Sequence, residues 1–293
     1  MKSTVIMTLG LGALFAVSSQ AATIQISFTN LAPRGGTWIM RPWVGFHDGN
    51  YQTFTVGQPA LEGVRHIAED GLVGDANNTL PPPDGCPYAG GTCQFQSFPQ
   101  YPNHGPEASI GNPTAPGQTI SRTFSVDSTD PKNRFLSYLV MIVPSNDAFF
   151  GTDSAHPLQL FDSSGNFLGP RSITVFGSDI LDAGTEANTE SQSDTAFFGQ
   201  TVAGTGTHPD PAGSTIHKHP GYIPNGPILT GSTTFLGTTY TFQNANFTQA
   251  GYQIAQVNIS LVQAVPEPAT FATLGLGAFA LLCFRKFQRK RTA

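Results

Sequence analysis

The chain has 293 residues, with 14 Lys/Arg, 19 Asp/Glu and a formal net charge of −5 at pH 7. Setting aside residues 1–22 and 265–293, which hold six of the basic and one of the acidic side chains, leaves 242 residues at net −10. That balance excludes a basic nucleic-acid footprint and suits solubility and divalent cations, while 32 Gly, 23 Pro and 22 Phe favour strands joined by long loops over helices.

At the N-terminus Lys2 precedes the apolar run Val5–Val17, and Ser19-Gln20-Ala21-Ala22 offers small residues to a peptidase. Residues 1–22 therefore read as a secretory signal peptide, cut by signal peptidase after Ala21 or Ala22. The next segment alternates, with Ile24, Ile26 and Phe28 on one face, and predicts a half-buried strand from Thr23 to Thr29. Trp43–His47 predicts a second strand, ended by Asp48-Gly49-Asn50. Pro59–Asp70 predicts the one helix, with Leu61, Val64, Ile67 and Ala68 as its apolar stripe and Gly71 as its stop.

Residues 74–117 read as a long loop containing Cys86 and Cys93. In an exported chain, two cysteines this close in a Pro/Gly-rich loop predict a disulfide. Strands are expected at Ile120–Val126, Phe135–Val143, Ile173–Phe176, Thr233–Phe242 and Ala255–Val262. Phe135–Val143 is almost continuously apolar, as in a central strand covered on both faces. Leu158–Phe161 and Phe167–Leu168 flank Asp162-Ser163-Ser164-Gly165-Asn166, a hairpin signal. Residues 177–227 read as polar loop. Short strands, turn punctuation and one helix argue for an all-β antiparallel β-sandwich spanning residues 23–264.

The chain then changes character. Val265-Pro266-Glu267-Pro268 leads into the apolar run Phe271–Phe284, which holds the third cysteine, Cys283, and then into Arg285, Lys286, Arg289, Lys290 and Arg291. A span over about 265–284 is near the lower length limit for a membrane-crossing helix, and the basic end should stay cytoplasmic. This order of motif, apolar helix and Arg-rich end resembles the PEP-CTERM sorting signal of Gram-negative bacteria. The resemblance implies export, transient attachment to the inner membrane, and processing by a membrane-embedded cysteine protease, an exosortase.

Candidate chemistry gathers in two places. Asp147 follows the central strand, and Asp182 and Glu186 flank Ala183-Gly184-Thr185. Carboxylates so spaced on loops can converge on one hard cation, for which calcium is the natural candidate. His208, His217 and His219 form a second group, with His217 and His219 on one side of an extended segment. A transition-metal site and a plain surface loop both account for them. No Gly-x-Ser-x-Gly, His-Glu-x-x-His or phosphate-binding Gly-rich motif is present, and no catalysis is expected.

Pro144-Ser145-Asn146-Asp147 with Phe149-Phe150-Gly151, followed by Asp182-Ala183-Gly184-Thr185-Glu186, is similar to the spondin N-terminal domain family. Phe28-Thr29-Asn30-Leu31, His47-Asp48-Gly49 and Val56-Gly57-Gln58-Pro59-Ala60 agree with it. The resemblance implies a sandwich like calcium-dependent lipid-binding modules, with Asp147, Asp182 and Glu186 as calcium ligands. It also implies a role in adhesion or in an extracellular matrix, with polysaccharide or other matrix proteins as partners. Asn146, Ala148 and Glu186 depart from the family pattern. The alternatives are a secreted hydrolase of extracellular polymer, with the long loops as its cleft, and a structural module without calcium.

Overall fold

The computed structural model describes residues 21–71, 103–200, 206 and 215–264. The alternation of Ile24, Ile26 and Phe28 produces β1 (Ala21–Asn30), with all three side chains fully buried. β2 (Trp38–Ile39) and β3 (Trp43–His47) follow, then α1 (Glu62–Asp70), β4 (His104–Ser109), β5 (Thr119–Asp127) and β6 (Phe135–Val143). After these come β7 (Ala148–Gly151), β8 (Leu158–Gln159), β9 (Arg171–Phe176), β10 (Leu181–Asp182) and β11 (His217–Lys218). The chain continues through α2 (Pro227–Thr230), β12 (Ser232–Phe235), β13 (Thr238–Thr241) and β14 (Gln253–Ala264).

The strands form an all-β, antiparallel, sandwich-like fold. One sheet has the order β5-β1-β14-β9; the other runs β11-β10-β7-β6-β3-β4, with β2 and β8 also paired to β6. Ile24, Ile26, Phe28, Phe124, Val257 and Ile259 of the first sheet share a core with Val44, Phe46, Tyr138 and Val140 of the second. Phe28 and Tyr138 meet edge to face at 5.6 Å, and Phe46 lies 5.3 Å from Phe124. Edge-on aromatic packing of this kind adds to the burial of apolar area. Away from the core, Gln25, Ser27 and Thr29 pair with Thr123, Ser121 and Thr119 on β5 and with Ser260, Asn258 and Gln256 on β14. The alternation thus leaves that side uncharged and polar.

The apolar run of β6 has two cores to serve. Leu136, Tyr138, Val140 and Ile142 enter the shared core. Leu139 enters a second one with Trp43, Phe54, Phe149 and the α1 residues Val64, Ile67 and Ala68. α1 begins at Glu62 rather than Pro59, and ends as expected at Gly71, whose φ of 62° is left-handed. Glycine meets that requirement without Cβ strain.

The long-loop readings need correction. Residues 74–117 contain β4, which pairs with β3 through Val44 and Ala108. Its sequence, His-Gly-Pro-Glu-Ala-Ser, has no strand alternation; it lies at the sheet edge, where a proline is tolerated. Residues 177–227 contain the two-residue strands β10 and β11, too short to show a period, and α2 adds a second short helix. The expected turn at Asp162 is present, with its Oδ1 accepting the Ser164 and Asn166 N–H groups at 2.8 and 2.9 Å.

Signal-peptide residues 1–20, the Cys86–Cys93 pair, His208 and the whole segment 265–293 lie outside the described residues. Among the described residues no helix is long and apolar enough to cross a membrane.

Candidate functional site

Asp147 lies in the tight connection from β6 to β7. The turn is tied locally: Ser145 Oγ donates to the Ile142 carbonyl at 2.6 Å and accepts the Ala148 N–H at 3.2 Å. Asn146 Nδ2 donates to the Asp194 carbonyl at 3.1 Å, and Tyr222 donates its hydroxyl to the Pro144 carbonyl at 2.6 Å. Asn146 thus fastens the turn to the 190s segment.

β10 pairs with β7 so that Asp182 stands opposite Ala148, and the Ala183 N–H donates to the Asp147 carbonyl at 3.1 Å. Asp182, on β10, therefore sits beside the turn residue Asp147 that precedes β7. Asp147 Oδ2 accepts the Thr185 N–H at 2.8 Å, the Glu186 N–H at 3.0 Å and the Thr185 hydroxyl at 3.2 Å. Asp182 Oδ1 accepts the Gly184 N–H at 2.8 Å, and its Oδ2 accepts Asn188 Nδ2 at 2.6 Å. Gly184 has φ of 69°, and a Cβ there would stand 2.5 Å from the Thr215 carbonyl oxygen. Glycine is thus required for the loop to close over Asp147.

Asp147, Asp182 and Glu186 are all fully buried. Asp147 Oδ1 is buried with no hydrogen-bond partner among the described residues. Burial, with the neighbouring Asp182 charge second, pushes the Asp147 carboxyl up to about 7 against the pull of its three donors. Burial likewise pushes Glu186 up to about 9, helped by Glu69, Asp70 and Asp147. Its carboxyl lies against the Gly206 backbone, where a Cβ would stand 1.9 Å from Cδ.

The structure brings Asp147 and Asp182 together, while Glu186 joins them through its backbone and turns its carboxyl towards α1. No three His, Cys, Asp or Glu side chains among the described residues are disposed to hold a metal ion. In donor type the site nonetheless fits a hard cation. It offers buried carboxylate oxygens, one of them unbonded, in surroundings that disfavour their charge unless a cation is present.

Of the histidines, His219 is a satisfied interior residue. Nε2 is 3.1 Å from Asn188 Oδ1, Nδ1 accepts the Gly221 N–H at 2.9 Å, and burial lowers it to about 3. His217 Nδ1 is 2.8 Å from the Thr215 carbonyl, and its Nε2 lies 3.9 Å from Asp182 Oδ2. Asn188 thus connects His219 to Asp182.

Sequence reasoning missed Glu69, Asp70, Asn188 and Gly206. A signal for two of them exists. The last turn of α1 is acidic, with no basic residue, which opposes the helix dipole. Such a local conflict often marks a site.

The PEP-CTERM protein-sorting motif matches residues 264–290. The motif marks an exported protein, anchored in the membrane until an exosortase processes its C-terminus, and then placed on the cell surface. No curated protein matches the sequence.

Proposed function

We propose that the exported protein is a calcium-binding adhesion or matrix module of the spondin N-terminal type, without catalytic activity. The observation that carries this reading is Asp147 Oδ1, buried and unbonded beside Asp182. Asp147 and Asp182 would hold the ion; Glu186, whose carboxyl faces α1, would have to turn to join them as third carboxylate. The cation would offset the burial that raises the Asp147 carboxyl, and so tie the β6–β7 turn to residues 182–188. Two of the spondin-like motifs, residues 144–151 and 182–186, include this turn and loop, and surface delivery by the sorting motif suits a matrix role.

Thermal melting of the full chain in mild detergent tests the reading. Calcium should raise the melting temperature over a chelator control, and the Asp182→Ala variant should lose that rise. An equal response in both, or none in the parent chain, would remove the site from the account.

A further inference from the structure

The β12–β13 hairpin pairs with neither sheet of the sandwich. Leu236 and Gly237, at φ of 49° and 77°, make its two-residue turn, a connection that suits hairpin twist. Trp38 holds the hairpin in place, with ring centroids 4.6 Å from Tyr240, 6.0 Å from Phe235 and 4.9 Å from Phe197.

Beside this aromatic group, against the turn at residues 34–35, is a cavity of about 540 Å³. Trp38 and Tyr240 supply its apolar side; Arg34, Gln243, Thr238 and Thr241 supply polar groups. Among the described residues of the lining, Arg34 is the one that is charged and none is a carboxylate. It is exposed, and no described carboxylate pairs with it. That is notable in a domain of net −10.

The wall is fixed from behind. Asn244 Nδ2 donates to the Arg34 carbonyl at 2.8 Å, and Tyr252 donates its hydroxyl to the Asn244 carbonyl at 3.0 Å. The Gln243 amide lies over Gly35, where a Cβ would stand 3.1 Å from Nε2. The cavity therefore combines an aromatic surface, a few placed polar groups and a preformed wall, as small-ligand sites do.

We infer that this cavity binds a carboxylated sugar unit, a uronate of an acidic polysaccharide. The planar Arg34 fork matches a carboxylate, and a neutral sugar leaves it unanswered. The partly exposed ring of Tyr240, backed by the buried Trp38, offers an apolar face to the C–H side of a pyranose. The Gln243 amide and the Thr238 and Thr241 hydroxyls suit sugar hydroxyls, because each can donate and accept. The inference rests on the matrix reading for a ligand at the cell surface, and it is independent of the Asp147–Asp182 site.

Calorimetric titration of the full chain in mild detergent, with chelator present throughout, tests it. The probes are trigalacturonate and maltotriose. Trigalacturonate should bind saturably and at least about tenfold more tightly than maltotriose. Arg34→Gln, whose melting temperature should match the parent's, should weaken trigalacturonate binding by about tenfold or more. Equal affinity for the two sugars would overturn the inference, as would unchanged affinity in Arg34→Gln or no binding up to about 10 mM. Because calcium is absent from the titration, a failed calcium site leaves its outcome unaffected.

Discussion

The Asp147 carboxylate holds the Glu186 backbone: its Oδ2 accepts the Glu186 N–H at 3.0 Å and the adjacent Thr185 N–H at 2.8 Å. One buried side chain thus closes the 184–186 loop onto the β6–β7 turn. Asp147→Ala removes the acceptor for both donors and should lower stability by about 1–3 kcal/mol in denaturant titration. Asp147→Asn keeps one carbonyl oxygen for them and removes the buried charge. It should melt close to the parent without calcium and lose the response to calcium.

The pH dependence follows chiefly from four buried groups; His66, also buried and lowered, acts in the same direction as the other histidines. Asp147 and Glu186 are raised to about 7 and about 9, so the folded state binds their protons more tightly than the unfolded chain. Their stabilising effect is complete below the ordinary values, 3.8 and 4.5, and is lost as pH rises through about 7 and about 9. His47 and His219 are lowered by burial from 6.5 to about 4 and about 3. Their contribution is present above 6.5 and is lost as pH falls towards those lower values. Metal-free protein should therefore be most stable on the acid side of neutrality. Calcium favours the ionised carboxylates and should move that optimum upward, as a series of melts from acid to alkaline pH would show.

Two glycines near the site should behave differently. Gly184→Ala combines a left-handed φ with a Cβ placed 2.5 Å from backbone, and should destabilise by about 1–3 kcal/mol. Gly206→Ala meets the Glu186 carboxyl instead, the end of a movable side chain. It should displace that carboxyl and weaken the calcium response with a smaller loss of melting temperature.

The sandwich itself is tested at β1. Phe28 is fully buried against Tyr138, and Phe28→Ala should cost about 3–5 kcal/mol. Ser27 points the other way, into the polar face, and Ser27→Ala should stay within about 0.5 kcal/mol of the parent. Equal losses from the two would contradict the layer assignment.

Much of this architecture is legible in the chain itself. Ile24, Ile26 and Phe28 alternate because one side of β1 meets a core and the other meets water. The nearly unbroken apolar run of β6 reflects a strand covered on both faces. β4 is not legible, since its pairing with β3 comes from an edge position and not from its own pattern. The same distinction divides the site. Asp147, Asp182 and Glu186 stand out by spacing within two short motifs. The approach of Glu69 and Asp70 to Glu186 depends on how α1 packs over β6 and β7, which no local spacing records. Asn188 is likewise hidden, because its role is to join His219 to Asp182 in space.

The proposed function stands or falls with calcium binding at Asp147 and Asp182. Calorimetric titration of calcium into the metal-free full chain in mild detergent, at neutral pH, tests it most directly. A saturable binding isotherm with a dissociation constant no weaker than about 1 mM is expected, lost in both Asp147→Asn and Asp182→Ala. No binding heat up to about 10 mM calcium, or an isotherm unchanged in both variants, would contradict it.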